Sequence, residues 1–206
     1  MLKKMMPVAA GLMAFMSGSA FADMGLAAGI SSDDSAEIRL PIRSQNTIYE
    51  PYVSFASISY NSDELFESRK SDDQSFSVGL SVLRVRTLQD SLFWQYGIRA
   101  GYLQRDGELS AVYGTNIEQN YQTLYSEEKL SGYLVSPRIG VFYSINDKVN
   151  LGIDVGYTYQ NLSGDVTEVH VSYYDDEPPE TYRDAKEDVD VSQWNSFSLI
   201  FMRVYF

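Results

Sequence analysis

The chain has 206 residues, carries 28 acidic against 16 basic side chains and contains no cysteine. Its length suits one domain, the lack of cysteine excludes disulfides and thiolate metal sites, and the acidic balance excludes nucleic acid as a partner, because phosphate binding requires a basic surface. The 16 tyrosines are typical either of a tyrosine-rich soluble β-protein or of a protein that places aromatic side chains at a lipid boundary.

The first 22 residues have the three-part layout of a secretory signal peptide. Two lysines precede an uncharged apolar run, and small residues follow at Ala20 and Ala22. We therefore expect a cleavable signal peptide at residues 1–22 and one mature domain at residues 23–206. A retained membrane anchor is the alternative, because the run is close to the minimum length of a spanning helix, but Pro7 favours cleavage.

Eight segments of the mature chain alternate apolar and polar residues with the period of two that is typical of β-strands. In residues 149–160 the apolar face ends in tyrosines, whereas the other face carries glycine and Asp154. In chain order, the predicted strands are 23–30, 35–43, 47–60, 75–86, 92–104, 130–145, 149–160 and 195–206. Because Pro41, Pro51 and Pro137 each remove a ladder donor, we expect a β-bulge at each of them.

The composition of the two strand faces indicates which one meets lipid. A soluble barrel or sandwich points its bulky apolar face inward and solvates the other face, but here the polar face is too rich in glycine for a solvated exterior. We therefore predict that the apolar faces contact lipid and that aromatic residues at the strand ends form the two interface girdles. The predicted fold is an all-β, eight-stranded antiparallel up-and-down transmembrane β-barrel, with both chain ends on the periplasmic side.

The last strand ends in "RVYF", with Val204 and Phe206 on its apolar face. Together with the signal peptide and strands of about ten residues, this ending resembles the small bacterial outer-membrane barrels typified by the OmpA transmembrane domain and the OmpX and Ail proteins. The resemblance implies a location in the bacterial outer membrane, contact with outer-membrane lipid and lipopolysaccharide, and recognition of residues 197–206 by the barrel-assembly machinery. Val204 and Phe206 would carry that C-terminal assembly signal, and we expect a monomer.

Seven charged residues are predicted to point into the barrel. An eight-stranded barrel has an interior just wide enough for side chains, without an open channel. Because charges buried in a narrow lumen must be paired, we expect a network of ion pairs that holds the barrel rigid. A gated path for ions or small solutes is the alternative. The predicted network consists of Glu37, Arg39, Glu50, Arg99, Arg138, Asp154 and Arg203.

The predicted outer segments, residues 61–74, 105–129 and 161–194, hold most of the carboxylates of the chain. An acidic crown keeps loops hydrated and suits a cation-bridged lipopolysaccharide leaflet. A second interpretation is the binding of divalent cations, whose hard-cation chemistry prefers carboxylate oxygens, although the ordered spacing of a calcium loop is missing. The acidic outer loop that could supply these oxygens contains Asp175, Asp176, Glu177 and Glu180.

Two of these outer segments, around residues 116–133 and 165–176, are either mobile polar loops or extensions of the strands into a protruding sheet. Residues 167–173 alternate as a strand does, and OmpX-like proteins extend their strands in this way. An exposed sheet edge pairs readily with a foreign strand, which gives adhesion to a host or environmental surface a physical basis.

Catalysis is a further hypothesis. His170 is the only histidine and Ser172 follows it, a spacing similar to that in the outer-membrane lipid A deacylases, but Tyr173 stands where that family has asparagine. The sequence holds no Gly-rich phosphate loop and no pair of histidines for a metal, so we expect no cofactor and no enzymatic activity. We predict a structural and surface-interaction protein, adhesive through its acidic loops; the alternatives are a small gated pore and a lipid-modifying enzyme.

Overall fold

The computed structural model describes residues 23–206 except for Asp33 and the segments 65–66, 117–119, 174–179 and 184–186. The predicted signal peptide, residues 1–22, lies outside the described residues. The described chain is almost entirely β-strand, and no helix within it is long and apolar enough to cross a membrane.

The described strands form one antiparallel sheet that closes on itself. In chain order they are β1 (Asp23–Ser31), β2 (Ser35–Arg39), β3 (Ile42–Ser44), β4 (Thr47–Glu64), β5 (Glu67–Gln89), β6 (Leu92–Asn116), β7 (Asn120–Ser144), β8 (Val149–Tyr173), β9 (Glu180–Arg183) and β10 (Glu187–Tyr205). Around the ring, β1 pairs with β2 and β3, these two pair with β4, and β4 to β8 pair each with the next. β10 pairs with β8 and closes the ring by pairing with β1 from Gly25↔Tyr205 to Ser31↔Leu199. Since β2 and β3 are one interrupted strand and β9 pairs only with β8, the prediction of an eight-stranded barrel is confirmed.

One of the three prolines interrupts a strand. The break between β2 and β3 lies at Pro41, whose carbonyl accepts a hydrogen bond from the Gly25 amide at 2.9 Å. The bulges expected at Pro41, Pro51 and Pro137 are wrong, because the pairing register is the same on the two sides of each proline. The side of Pro51 that has no N–H faces the break between β2 and β3, where the Pro51 carbonyl accepts a hydrogen bond from the Leu40 amide at 2.9 Å. Pro137 lies at a gap in the β7–β8 ladder.

The strands differ greatly in length. β6, β7 and β8 have 25 residues each, whereas about ten residues suffice to cross a bilayer. The interpretation of residues 61–74, 105–129 and 161–194 as loops is therefore wrong for most of their length, and the protruding-sheet alternative is correct. In contrast, β1 has only nine residues, so the barrel wall is low at the β1–β2 hairpin; we call this gap in the wall the notch.

Apolar and aromatic side chains cover the outside of the ring. Outward residues such as Ile30 and Ile200 are 71% and 61% exposed, which is tolerable only if lipid covers them. Two aromatic rows border this band. The row toward the end of the barrel that holds Asp23 and Phe206, here called the lower end, includes Trp94 and Tyr96, with ring centroids 5.0 Å apart. The opposite row, here called the upper row, contains Phe55, Phe76, Tyr133, Tyr159 and Trp194.

Candidate functional sites

The seven charged residues predicted to face inward meet in one layer across the lumen. Arg39 forms ion pairs with Glu37, with Glu50 at 3.2 Å and with Asp154 at 3.4 Å. At the edges of the layer, Arg203 Nε lies 2.6 Å from Glu50, Arg138 pairs with Asp154, and Arg99 lies 2.5 Å from Glu37. Except for Arg99, which is 11% exposed, the side chains of this layer are buried almost completely.

Four arginines face three carboxylates in this charged layer, and aromatic rings and a glutamine side chain stabilise the excess positive charge. The Arg99 guanidinium lies 4.0 Å from the centre of the Tyr52 ring, and that of Arg203 lies 4.3 Å from the Phe201 ring, distances at which cation–π attraction contributes. Gln95, which the sequence reasoning missed, accepts a hydrogen bond from Arg203 at 2.8 Å and donates one to Asp154 at 2.5 Å. The alternation of residues could have identified Gln95 as an inward residue, because it lies on the same strand face as Arg99.

An apolar layer fills the lumen between the charged layer and the lower end of the barrel, where Asp23 and Phe206 lie. The sequence analysis does not predict this layer, because it describes the inward strand faces only by their glycines and charged residues. Phe93 and Phe142 stack in it with ring centroids 5.1 Å apart. The charged and apolar layers together obstruct the lumen on this side. The buried members of the apolar layer are Ile48, Leu83, Val85, Phe142 and Phe201.

Glycines on the inward faces make room for these large side chains. A Cβ atom on Gly140 would overlap the Asp154 carboxylate and lie 2.5 Å from the Ile153 carbonyl oxygen. A Cβ on Gly152 would come within 2.6 Å of the Phe201 ring. The glycine-rich polar face noted in the sequence therefore reflects a lumen packed with arginine and phenylalanine.

A cavity of about 380 Å³ lies on the other side of the charged layer and opens toward the upper end of the barrel. We call it the vestibule. Its floor includes Glu37 and Arg99, and its wall carries a second ion pair between Arg105 and Asp73 at 3.5 Å. Its wall continues into a leucine cluster, in which Leu103 and Leu134 line the vestibule and pack with Leu130 and Leu162 of the protruding sheet.

The protruding sheet is the part of β4–β8 and β10 beyond the upper aromatic row, together with β9. On β6 it extends from Tyr102, beside Tyr133 of the upper row, to Asn116, or about 45 Å along the strand at 3.3 Å per residue. Exposed ion pairs join Lys70 with Asp72 at 2.9 Å and Lys129 with Glu127. The hydrogen bonds from these lysines lower the pKa of Asp72 and of Glu127, so both carboxylates stay ionised at neutral pH.

Two strand edges flank the notch. Above Ala56, β4 pairs with β5 but, within the described residues, has no strand on its other side, because β2 ends its pairing at Ser35↔Ala56. Likewise β10 pairs with β8 from Glu187 onward, whereas its pairing with β1 begins only at Leu199. The segments 57–64 and 187–197 therefore present backbone N–H and C=O groups on one open edge each.

The predicted acidic outer loop is only partly described. Asp175, Asp176 and Glu177 lie outside the described residues, whereas Glu180 begins β9 and pairs with Ser172. In the described part of the chain, no group of three or more His, Asp or Glu side chains is arranged to hold a metal ion. Cation binding by this loop stays a prediction.

The C-terminal residues form the last part of the ring. Val204 pairs with Leu26 on one side and Val149 on the other, and the Phe206 amide donates to the Met24 carbonyl at 2.9 Å. The Phe206 side chain is 78% exposed on the outside, where a second protein can contact it. Recognition by an assembly machinery stays a prediction.

The residues of the catalytic hypothesis lie in the protruding sheet. His170 Nε2 is 3.7 Å from Glu168, and Ser172 is 8% exposed. Both residues follow Tyr159 of the upper row by more than ten positions on β8, which is about 35 Å or more along the strand. Both residues therefore lie beyond the upper aromatic row.

Structure comparisons find similar barrels at low sequence identity. The CarO2 protein of Acinetobacter baumannii matches with a TM-score of 0.54 and 13% identity over 89% of this chain and 98% of that one. CarO of the same organism matches with a TM-score of 0.52 and 13% identity, over 88% and 97%. A major outer membrane protein of Thermus thermophilus has a TM-score of 0.49 and 13% identity, over 90% and 100%. No protein-family model matches the sequence, and no characterised protein sequence matches it significantly.

This chain is an outer-membrane β-barrel protein. The shared fold agrees with the lipid-exposed apolar band and its two aromatic rows, and the protein is accordingly located in the bacterial outer membrane. The barrel belongs to the small, eight-stranded type, but the specific resemblance to the OmpA, OmpX and Ail proteins stays a prediction.

Proposed function

We propose that this outer-membrane barrel is a surface-interaction protein that pairs the open edges of its protruding sheet with an extended segment of a partner. The two edges beside the notch, residues 57–64 of β4 and 187–197 of β10, carry this proposal. An added strand gains a ladder of backbone hydrogen bonds at such an edge, and this is an established mode of peptide recognition.

The charge of the β10 edge indicates the chemistry of the partner. Glu187, Asp188 and Asp190 are exposed at its upper end. Like charges placed opposite one another across strands are destabilising, whereas opposite charges attract. The favoured partner is therefore a cationic extended segment on a host or environmental surface.

The filled lumen supports an external function. The buried charged layer and the apolar layer leave the protruding sheet and the vestibule as the accessible surfaces of the molecule. Contact with lipopolysaccharide, insertion by the barrel-assembly machinery through Val204 and Phe206, and a monomeric state belong to the same proposal.

The test uses the refolded protein in nanodiscs and a synthetic peptide of alternating lysine and valine. The control peptide has the same sequence with alternate backbone amides methylated, so it keeps its charge but loses the hydrogen bonds of one edge. We expect binding of the first peptide to weaken at least about tenfold on methylation. Equal binding of both peptides would show that charge alone attracts them and would refute strand addition.

A pair of charge variants tests the position of the site. Asp188→Lys with Asp190→Lys should weaken peptide binding strongly, because both residues lie on the β10 edge. The matched control is Asp106→Lys with Glu108→Lys, which makes the same charge change on β6, a strand that is paired on both sides. Equal losses in the two variants would contradict an edge-specific site.

A gated pore is the second candidate, and the vestibule favours it, because this cavity leads down to the charged layer. Conduction requires the ion pairs around Glu50 to open and the apolar layer beyond them to part. Planar-bilayer recordings of the refolded protein and of Glu50→Ala decide this point. Steady conductance that changes in the variant supports the pore, and silence in both proteins rejects it.

A further inference from the structure

The lining of the vestibule has an unusual composition for a cavity above a layer of arginines. About half of its lining residues are serine, threonine, asparagine or glutamine, on several different strands. Their hydroxyl and amide groups can both donate and accept hydrogen bonds. Some are already oriented by their neighbours: Ser136 and Thr158 share a hydrogen bond of 2.7 Å, and Gln193 donates to Gln160 at 2.9 Å.

The charges of the vestibule cancel one another. It is lined by two carboxylates and two guanidinium groups, and these form the Glu37–Arg99 pair at 2.5 Å and the Asp73–Arg105 pair at 3.5 Å. A charged ligand would have to displace one partner of an existing ion pair. An uncharged ligand can accept from the guanidinium groups and donate to the carboxylates without breaking either pair.

The remaining lining is apolar and lies in patches beside the polar groups. Phe197 and Leu199 contribute from β10, and Leu103 and Leu134 contribute from β6 and β7. A cavity that offers dense donors and acceptors together with an aromatic and aliphatic surface is complementary to a sugar ring, which has polar edges and apolar C–H faces. The volume of about 380 Å³ lies in the range of small-molecule sites.

The notch gives the vestibule a lateral entrance. Ser31 and Ser35, at the top of the low β1–β2 hairpin, are part of the lining. Ser35 pairs with Ala56, next to Phe55 of the upper aromatic row. The entrance therefore lies at the level of the outer lipid headgroups, and the cavity is accessible both from above and from the membrane surface.

We infer that the vestibule is a binding site for a small uncharged saccharide. The sugar binds through hydroxyl and amide side chains of the wall, with the Arg99 and Glu37 pair at the floor. The sugar is either free in solution or part of an outer-leaflet glycolipid that reaches the cavity through the notch. This site uses inward side chains of β10, such as Asn195 and Phe197, whereas the proposed function uses the open backbone edge of the same strand.

Methyl NMR of the refolded protein in nanodiscs tests the inference. Leu103 and Leu134 line the vestibule, and Leu80 and Leu151, which are exposed on the lipid-facing side, are internal controls. The free probes are maltose and N-acetylglucosamine, and the charged probes that keep a sugar ring are glucuronate and glucosamine. We expect shifts of the vestibule methyl groups alone, with at least about tenfold weaker binding of the charged compounds.

Two blocking variants and one matched control locate the site. Asn195→Leu and Ala56→Phe change the lining from opposite sides of the notch. Ser196→Leu is the control, because it introduces leucine at the adjacent position, which points outward. The two lining variants should weaken saccharide binding at least about tenfold, and Ser196→Leu should leave it unchanged. Equal behaviour of lining and outward variants would overturn the inference, as would charged probes that bind as well as the sugars.

A second arm distinguishes the sources of the sugar. Nanodiscs of phospholipid are compared with nanodiscs that also contain lipopolysaccharide. Vestibule shifts caused by lipopolysaccharide and abolished by Asn195→Leu assign a lipid-linked sugar, and shifts caused only by the free probes assign a soluble one. The absence of vestibule shifts in both arms would refute saccharide binding.

Discussion

Replacing Glu50 with glutamine should destabilise the barrel by about 3 kcal/mol. Glu50 accepts from Arg203 at 2.6 Å and from Arg39 at 3.2 Å, and all three side chains are fully buried. Removal of one partner from a buried ion pair costs about 3–5 kcal/mol, because the remaining charge is left uncompensated. We expect the lower end of this range, since glutamine keeps a carbonyl acceptor and Arg39 retains Glu37 and Asp154.

Urea unfolding of the protein from phospholipid vesicles, followed by tryptophan fluorescence, measures this change. Glu127→Gln is the matched control, because it removes an exposed carboxylate paired with Lys129, and an exposed ion pair that water screens contributes little to stability. The double variant Glu50→Gln, Arg203→Met removes both partners and should recover part of the loss. A loss below about 1 kcal/mol for Glu50→Gln, or a double variant whose loss equals the sum of the single losses, would refute the reasoning.

Three further predictions concern packing, the lipid boundary and assembly. Gly140→Ala should lower the free energy of unfolding by about 1–3 kcal/mol, because the new methyl group overlaps Asp154. Gly107→Ala should cost less, because its Cβ meets only the end of the Asp73 side chain within 3 Å. Urea titrations that find the larger loss for Gly107→Ala would contradict this packing. The two tryptophans, Trp94 and Trp194, lie in opposite aromatic rows. In single-tryptophan variants, the fluorescence of each should be quenched more by lipids brominated near the headgroup than by lipids brominated at the chain end. Stronger quenching by the chain-end bromine would contradict the position of that tryptophan at a membrane interface. Phe206→Ala should reduce the amount of barrel inserted in cells without changing refolding of the purified protein, and an equal defect in refolding would assign Phe206 a purely structural role.

The sequence predicted the ring and its inward charges because a period of two specifies which face each residue occupies. It did not specify height along the barrel axis, which depends on the stagger between strands. Gln95 and Arg203 are far apart in the chain, yet they meet across the lumen. For the same reason, the separation of the interior into apolar layer, charged layer and vestibule could not be read from any single strand.

The extent of the protruding sheet was missed for a different reason. Inside the membrane, lipid requires one apolar face on each strand, and this requirement produces the clear alternation of residues 149–160. Beyond the upper aromatic row, the outer face of the strand meets water instead of lipid and the inner face is only partly apolar, so polar residues such as Asp165 and Glu168 are acceptable there. The sequence of such a segment therefore predicts a polar loop, although its backbone continues the β7–β8 hydrogen-bond ladder.

The low wall at the notch also has a mechanical consequence for the ring. β1 is joined to β10 by seven residue pairs and to β2 by four, with two more to β3, whereas β5 and β6 are paired along nearly their whole lengths. A strand held by few hydrogen bonds opens at the lowest free-energy cost. Around the closed ring, the β1–β2 hairpin is therefore the weakest part of the wall, and we expect the ring to open there before it opens between the long strands.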